Sequence, residues 1–170
     1  MTPGIRWHFI GHLQANKVKY LIGKVSLIHS VDSLELLQEI DRLGRKAGVT
    51  VPVLLQLNVS GEATKSGLAE AELPGVLTGV SGLLAVRVDG LMTIAPAAGN
   101  PEEARPVFRR LAALGRQLAE EKVHGVHIRR LSMGMSGDYA VALEEGATIV
   151  RVGTAIFGPR SAALPPGKRL

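Results

Sequence analysis

Two stretches near the end of the sequence decide the fold: Leu131-Ser132-Met133-Gly134-Met135-Ser136-Gly137-Asp138 and Thr148-Ile149-Val150-Arg151-Val152-Gly153-Thr154-Ala155-Ile156-Phe157-Gly158. Each is an apolar, β-type run that ends in glycine and hydroxyl residues, and a short helical pattern follows the first. Backbone N–H groups at the start of a helix lack intrahelical partners and lie at the positive end of its dipole, so they bind anions well. Two such strand ends, side by side, predict a phosphate site.

Arg151 precedes Gly153 by two residues, so alternation along a strand predicts that both face the same side. A cation there would contact whatever group carries the phosphate. The alternative is that the glycines are ordinary turn residues and Arg151 is a core arginine, because short glycine–serine turns are common. The residues alone leave both interpretations open.

The rest of the chain alternates between β-type and helical patterns. Strands are predicted over 6–11, 25–31, 51–59, 86–94, 127–133 and 148–157, and helices over 12–22, from a capping box at Asp32 to Gly48, over 70–79, from Asn100 onward and over 138–145. This order predicts a parallel sheet with right-handed crossovers, which is either an open doubly wound sheet or a barrel.

A barrel is favoured over the open sheet for two reasons. The first glycine loop contains no G-x-G-x-x-G pattern, which disfavours the dinucleotide-binding open sheet. The phosphate signal follows the last two strands, and in (β/α)8 barrels the loops after strands seven and eight frequently bind phosphate. Such a barrel has about eight strands, whereas about six are predicted here. We therefore expect a (β/α)8 TIM barrel that lacks about the first two β/α units.

Composition indicates one domain over residues 1–170, because 46% of the residues are apolar and only 4% are aromatic. The formal charge of +5 raises the question of a nucleic-acid partner. The basic residues are spread along helical patterns without interleaved aromatics, which favours solvated helix faces and disfavours nucleic acid. The absence of cysteine excludes thiolate chemistry and suits a cytoplasmic protein. No apolar run approaches the ~20 residues that span a membrane.

Several motifs precede the two quoted stretches: Trp7-His8-Phe9-Ile10-Gly11-His12-Leu13-Gln14, Asn16-Lys17, Ile28-His29-Ser30-Val31-Asp32-Ser33, Gln56-Leu57-Asn58-Val59-Ser60 and Gly90-Leu91-Met92-Thr93-Ile94-Ala95-Pro96. With those stretches they resemble the pyridoxal phosphate homeostasis protein family, which is non-enzymatic and looks like the barrel domain of alanine racemase standing alone. The resemblance runs from about Trp7 to Arg160. It implies a barrel of the alanine racemase type that binds pyridoxal 5′-phosphate at its carboxyl-terminal mouth.

The resemblance also implies the site residues. They are Ser136, Gly153 and Thr154 at the phosphate, Arg151 at the pyridine nitrogen, and Ser132 and Met133 in the lining. An arginine there disfavours protonation of the ring nitrogen, because two positive charges ~3 Å apart repel strongly in a partly dry site. This suits a carrier or a racemase-like site more than a transaminase.

One family feature is missing from this sequence. The family's Schiff-base lysine lies in a Val-Ser-Lys type segment upstream of the Trp7 motif, as does a second, Gly-Glu-Asn-like segment, and neither occurs here. We therefore expect an N-terminally truncated member with no catalytic residue. Lys65, in the loop after the third predicted strand, is the candidate second amine near the cofactor, although a solvated loop lysine is the favoured interpretation.

The sequence is compatible with three candidate functions. The first is a non-enzymatic carrier and regulator of vitamin B6 and amino-acid metabolism, which binds pyridoxal phosphate and passes it on. The second is an alanine racemase-like enzyme, which would need a second domain or subunit for its opposite acid/base group, or else an inactive fragment. The third is a basic scaffold for nucleic acid. Two missing strands would expose sheet edges, so we also expect self-association.

No metal site is predicted. His8 and His12 are four residues apart, but His8 lies on a predicted strand and no third ligand is evident. His124 and His127 flank a turn between a helix and a strand and are expected to be solvated.

Overall fold

Six parallel strands form one sheet in the computed structural model, which describes residues 4–62 and 66–159. The strands are β1 (His8–Phe9), β2 (Leu27–Val31), β3 (Val51–Gln56), β4 (Val86–Met92), β5 (Val126–Met135) and β6 (Ile149–Arg151). The helices are α1 (Leu34–Ala47), α2 (Leu73–Val80), α3 (Arg105–Glu120), α4 (Tyr139–Glu144) and α5 (Thr154–Phe157), with 3-10 turns at Ala15–Tyr20, Glu70–Glu72 and Pro101–Ala104. The predicted alternation of strands and helices is confirmed.

The strands lie in the sheet in the order of the chain, from β1 to β6, and all neighbours are parallel. A doubly wound sheet reverses direction at a switch point, whereas a barrel continues in one direction. Within the described ranges, β1 and β6 each pair on one side only, so the sheet is an open, six-stranded part of a barrel. The barrel prediction is confirmed, and the doubly wound alternative is wrong.

The two faces of the sheet bury different side chains, because residues alternate along a strand. The face toward the helices carries the main apolar core, in which Phe108 of α3 and Val88 of β4 are fully buried. The opposite face is the inner face of the barrel and holds a small apolar cluster of Leu27, Leu54 and Met92. Strands buried on both faces explain the near-continuous apolar runs of the sequence.

Side chains and glycines fix where the long helices begin and end. Ser33, rather than Asp32, caps α1, because its hydroxyl accepts a 3.1 Å hydrogen bond from Leu36 N. Gly48 ends the same helix in the left-handed conformation, with φ +66°, as predicted. Asn100 caps the turn before α3 by accepting a backbone hydrogen bond two residues on, also as predicted.

The stretch 148–157, predicted as one strand, forms two elements. Strand β6 ends at Arg151, and α5 begins at Thr154. The Gly153 amide turns toward the neighbouring loop and donates to Ser136 Oγ at 3.3 Å. This contact from outside the segment overrides the β-propensity of its branched residues, so the prediction of a strand through residue 157 is wrong.

The segment between β1 and β2 is a 3-10 turn over Ala15–Tyr20 rather than the helix predicted over 12–22. Val18 is its only buried residue. Little packing is therefore available to stabilise a full helix. The other strand boundaries differ from the predicted ones by up to three residues.

Strands β4 and β5 approach closely at Gly90, where their register shifts. A Cβ at this position would lie 1.9 Å from the carbonyl oxygen of Arg130, so only glycine fits. The resulting bulge leaves extra residues in β5. It aligns Ser132 with Met92, at the carboxyl end of β4.

Asp41 links α1 to the loop before β4. The carboxylate is buried, and its Oδ1 accepts hydrogen bonds from Leu84 N at 2.8 Å and Ala85 N at 2.7 Å. Its Oδ2 lies 2.8 Å from Nε of Arg45, whose side chain is 56% exposed. The carboxylate therefore satisfies two backbone donors of this loop and stabilises the path of the chain into the sheet.

We expect Asp41→Ala to lower the free energy of unfolding by about 2–3 kcal/mol, because two backbone amides, of which that of Ala85 is buried, lose a charged acceptor. Arg45→Ala is the control. It removes only the exposed partner and should cost less than about 1 kcal/mol. Urea unfolding followed by circular dichroism measures both, and equal losses in the two variants would contradict the assignment.

Large apolar side chains are exposed beside both outer strands. Trp7 and Ile10 flank β1 and are 48% and 52% exposed, while Ile156 and Phe157 follow β6 and are 66% and 86% exposed. Backbone groups on the outer sides of these strands have no partner strand within the described residues. Among the same residues, no helix is long and apolar enough to cross a membrane.

We expect the purified chain to self-associate through these edges, because unpaired strands and exposed apolar side chains favour pairing between chains. Size-exclusion chromatography with light scattering should give a mass above 18.0 kDa that rises with concentration. Trp7→Ser with Phe157→Ser should shift the chain toward the monomer. Leu84→Ser, which removes a 76% exposed leucine far from both edges, should not. A monomer at all concentrations would contradict this prediction.

Candidate functional site

A cavity of about 810 Å³ opens at the carboxyl ends of the strands, which is the end where barrels bind ligands. The loops after β1, β5 and β6 supply most of its walls. Its lining residues are His8, Ile10, Gly11, His29, Ile94, Met135, Ser136, Gly137, Ile149, Val150, Arg151, Val152, Gly153 and Thr154. Both of the glycine-rich loops predicted from the sequence therefore open into one cavity.

The Ser136 hydroxyl joins the loop after β5 to the start of α5. Its Oγ accepts hydrogen bonds from Gly153 N at 3.3 Å and from Ala155 N at 3.2 Å. Asp138 holds the turn around Ser136, because its Oδ1 accepts a 2.6 Å hydrogen bond from Met135 N. Ser136 and Gly153 thus lie together on the cavity wall. The Ser136 hydroxyl, which accepts from both amides, keeps its own proton to donate to an anion.

Two glycines shape this wall in opposite ways. Gly134 has φ +89°, and a Cβ there would lie 2.6 Å from Ala142 Cβ, so glycine is needed for α4 to approach β5. Gly153 faces open space, because a Cβ there would meet no atom within 4 Å. Ligand atoms therefore have room to approach the backbone of Gly153 from the side on which a Cβ would lie.

The Arg151 guanidinium is largely buried at the base of the cavity. Its NH1 donates to Ser132 Oγ at 2.8 Å, and its NH2 donates to the carbonyl oxygen of Thr93 at 2.9 Å. Within residues 4–62 and 66–159, no carboxylate forms an ion pair with it. Burial lowers the pKa of Arg151, and the negative charge of Asp138 partly offsets that effect. The site therefore holds a cation that lacks a protein counterion among the described residues.

Two histidines extend the contacts of Arg151 across the inner face. His29 Nδ1 lies 2.9 Å from Ser132 Oγ, and His29 Nε2 lies 3.0 Å from His8 Nδ1. His29 is 1% exposed. Burial, followed by the charges of His8, Arg151 and Arg130, lowers the pKa of His29 to about 3. Burial also lowers the pKa of His8, so both imidazoles are neutral near pH 7.

The structure brings together most of the site residues predicted from the sequence. Four line the cavity itself: Ser136, Arg151, Gly153 and Thr154. Ser132 lies directly beneath them, fully buried and hydrogen-bonded to Arg151. Arg151 and Gly153 line the same cavity, together with Val150 and Val152 between and beside them. Gly153 lies beyond the end of β6, so alternation along the strand does not account for its position.

Of the other two predicted residues, Met133 lies away from the cavity. Met133 is fully buried, but its side chain belongs to the apolar core on the helix side of the sheet. The physical reason is alternation: Ser132 faces inward, so its neighbour faces the helices. The Met133 side chain is therefore not part of the cavity lining. Lys65 lies outside the described residues.

Three residues of the site were not predicted from the sequence: His8, His29 and the carbonyl of Thr93. The two histidines fall within motifs that carry the family resemblance, but no role was assigned to them. His29 follows the buried Leu27 by two residues near the carboxyl end of β2. A polar side chain on the inner face at that end is the signal that would have identified it.

The histidine pairs considered for metal binding do not form a cluster. His8 contacts His29, whereas His12 Nδ1 lies 3.8 Å from an oxygen of Asp32. His124 and His127 line a separate cavity at the amino ends of the strands. Among the described residues, no group of three or more His, Asp or Glu side chains is arranged to hold a metal ion.

Comparison with known proteins assigns the chain to a family. Residues 4–161 match the family described as alanine racemase, N-terminal domain. The pyridoxal phosphate homeostasis protein of Aquifex aeolicus is 50% identical over 156 residues, which are 92% of this chain and 68% of that protein. The mouse protein of the same name is 38% identical and is matched over 96% of this chain and 62% of its own length. The chain thus spans about two thirds of the length of these relatives.

Solved structures agree with the sequence comparison. PipY of Synechococcus elongatus with PLP bound superposes with a TM-score of 0.83 at 34% identity, covering 92% of this chain and 72% of PipY. Alanine racemase of Clostridium difficile is 16% identical and superposes with a TM-score of 0.67, which shows a shared fold. The chain therefore belongs to the alanine racemase N-terminal domain family, and among its members to the pyridoxal phosphate homeostasis proteins.

Proposed function

We propose that this chain binds pyridoxal 5′-phosphate non-covalently in the cavity at the carboxyl ends of the strands, and that it acts as a non-enzymatic carrier of this cofactor in the cytoplasm. Relatives from a bacterium and from mouse are named pyridoxal phosphate homeostasis proteins, and the PipY structure contains PLP. The absence of cysteine is in keeping with a reducing compartment.

One observation carries this proposal: within the described residues, a partly buried guanidinium without a carboxylate partner shares a cavity with the hydroxyl of Ser136 and the loop at Gly153. A buried cation is costly unless it is compensated, and the described residues offer Arg151 only neutral acceptors. An anionic, aromatic ligand would fit a cavity of about 810 Å³ whose wall also includes Ile94 and Ile149. Pyridoxal 5′-phosphate has both properties.

The family resemblance assigns a part of the ligand to each residue. Ser136, Gly153 and Thr154 would hold the phosphate, and the space beside Gly153 gives its oxygens access to the backbone. Arg151 would face the pyridine nitrogen and keep it unprotonated, because a second positive charge beside it is unfavourable.

When bound, the cofactor supplies an aldehyde that reacts with amines and a ring that withdraws electrons. An unprotonated ring withdraws electrons less strongly, so the arginine favours retention of the cofactor over its use in catalysis. The described lining residues include no lysine. Both features support a carrier in which contacts to the phosphate and the ring, rather than a covalent bond, hold the ligand.

We expect the purified chain to bind pyridoxal 5′-phosphate without forming a lysine adduct. Borohydride reduction of the complex, followed by peptide mass mapping, should find no stoichiometric modification, while equilibrium dialysis detects bound ligand. Lys65→Arg and Lys17→Arg are matched variants and should leave binding unchanged. A stoichiometric adduct on Lys65 that disappears in Lys65→Arg would overturn the non-covalent assignment.

We expect Gly153→Ala to weaken pyridoxal 5′-phosphate binding by about tenfold, or ~1.4 kcal/mol. The added methyl group occupies the space through which a phosphate oxygen reaches the amide, yet it meets no protein atom within 4 Å, so the fold is preserved. Gly75→Ala, in an exposed part of α2 with equally open surroundings, is the control and should bind normally. Absorbance titration measures both, and equal affinities would count against a phosphate at Gly153.

A further inference from the structure

We propose that His29 and Ser132 form a positioning pair that holds the Arg151 guanidinium in one orientation and so determines which of its N–H groups face the ligand. This inference rests on the proposed function, because it assigns a role toward the ring of the bound cofactor. It concerns residues of two other strands, β2 and β5, whose side chains are joined to Arg151 through Ser132 Oγ.

Geometry supports this role. Ser132 is fully buried and His29 is 1% exposed, so neither contacts solvent freely. Ser132 Oγ lies 2.8 Å from Arg151 NH1 and 2.9 Å from His29 Nδ1, which places the hydroxyl between the two side chains. The imidazole thus holds the hydroxyl, and the hydroxyl holds the guanidinium.

The contacts of the pair are satisfied by either neutral tautomer of His29, whereas a charged His29 would be repelled by Arg151. Ser132 Oγ accepts from Arg151, so its own proton is free to be donated to an unprotonated Nδ1 of His29. Nε2 of His29 then donates to His8 Nδ1. In the other neutral tautomer, both donations between these groups are reversed. A protonated His29 would instead direct a second cationic N–H at the oxygen that Arg151 already uses.

Electrostatics favours the neutral imidazole. The ionisable groups that act on His29 are His8 from β1, Arg130 from β5 and Arg151 from β6. Arg130 lies 3.8 Å from Asp89 of β4, and Asp89 is also paired with Arg87. The only nearby carboxylate of that strand is therefore shared between two arginines, and burial keeps the pKa of His29 low.

The other anchor of Arg151 is a backbone group, the carbonyl of Thr93, which side-chain substitution leaves in place. The Thr93 hydroxyl donates to the Leu57 carbonyl at 2.9 Å and so fixes that backbone. With one anchor fixed, loss of the Ser132 contact should release NH1 and allow the guanidinium to rotate. The orientation of the Arg151 guanidinium can therefore be tested in variants that retain the arginine itself.

The first test is made without ligand. In nitrogen-detected NMR spectra of the wild-type chain, we expect restricted rotation of the Arg151 guanidinium and a neutral His29 down to pH 5. Ser132→Ala and His29→Leu should each free the rotation, whereas His29→Asn, which keeps a polar group near the Nδ1 position, should retain part of the restriction. Ser30→Ala is the control, because Ser30 is equally buried in β2 but bonds to the Gly11 carbonyl.

The second test uses pyridoxal 5′-phosphate. Ser132→Ala and His29→Leu should each weaken binding about tenfold, or ~1.4 kcal/mol, and the double variant should be no weaker than either single one, because both remove the same contact. Ser81→Ala, which removes an exposed hydroxyl bonded to the Thr78 carbonyl, should bind like the wild type. Unchanged Arg151 rotation in Ser132→Ala and His29→Leu, or additive losses in the double variant, would overturn the positioning role. If the wild type binds no ligand, the proposed function fails while the NMR test still decides the pairing.

Unfolding measurements test whether His29 is held neutral in the folded chain. The pKa of His29 is lowered from about 6.5 to about 3 in the folded state, so between these values the unfolded chain binds more protons. The free energy of unfolding should therefore decrease as the pH falls from about 6.5 toward 3. His29→Leu should reduce that dependence. An unchanged pH profile in a folded His29→Leu chain would show that His29 is not held neutral, which would overturn the proposal.

Discussion

The structure depends on one buried interaction, the attachment of the Arg151 guanidinium to the ends of two neighbouring strands. Arg151 lies at the end of β6 and donates to Ser132 on β5 and to the carbonyl of Thr93, just after β4. The parallel register makes this possible, because Met92 pairs with Ser132 and Ser132 pairs with Ile149. Since a guanidinium is planar with its donors in a fixed arrangement, two anchors determine its plane and leave its other N–H groups for a ligand.

Much of the fold could be predicted because helix ends are encoded locally. Ser33, Gly48 and Asn100 act on their own helices, and the predicted boundaries there are close to the observed ones. The error at 148–157 has the opposite cause: the turn at Gly153 depends on Ser136, seventeen residues earlier. Hydrophobic pattern also cannot separate a barrel from a doubly wound sheet, since both bury strands on both faces. The position of the glycine loops indicated the barrel, and the strand order confirms it.

The candidate site also contains some parts that could be predicted from the sequence and others that could not. Its two glycine-rich loops could be predicted to share one cavity because each is a continuous stretch at the end of a strand, whereas the histidines join the site across the sheet. His29 and Ser132 are 103 residues apart in the chain, and nothing in their local sequence indicates that they meet. Met133 shows that a motif does not determine which way each side chain points, even within a single strand. Its place in the motif suggested the cavity, but alternation turns its side chain into the core.

A hydroxyl and a neutral imidazole lie behind Arg151. They can orient the guanidinium without neutralising its charge. A carboxylate at position 132 would bind the same N–H groups, but it would also neutralise the cation and weaken its effect on a ring nitrogen nearby. A lysine or a protonated histidine at position 29 would repel the guanidinium. Because Ser132 and His29 are both uncharged and both buried, they can hold Arg151 in place while its full positive charge remains directed toward the ligand. The two residues behind Arg151 thus combine hydrogen bonding with the absence of charge.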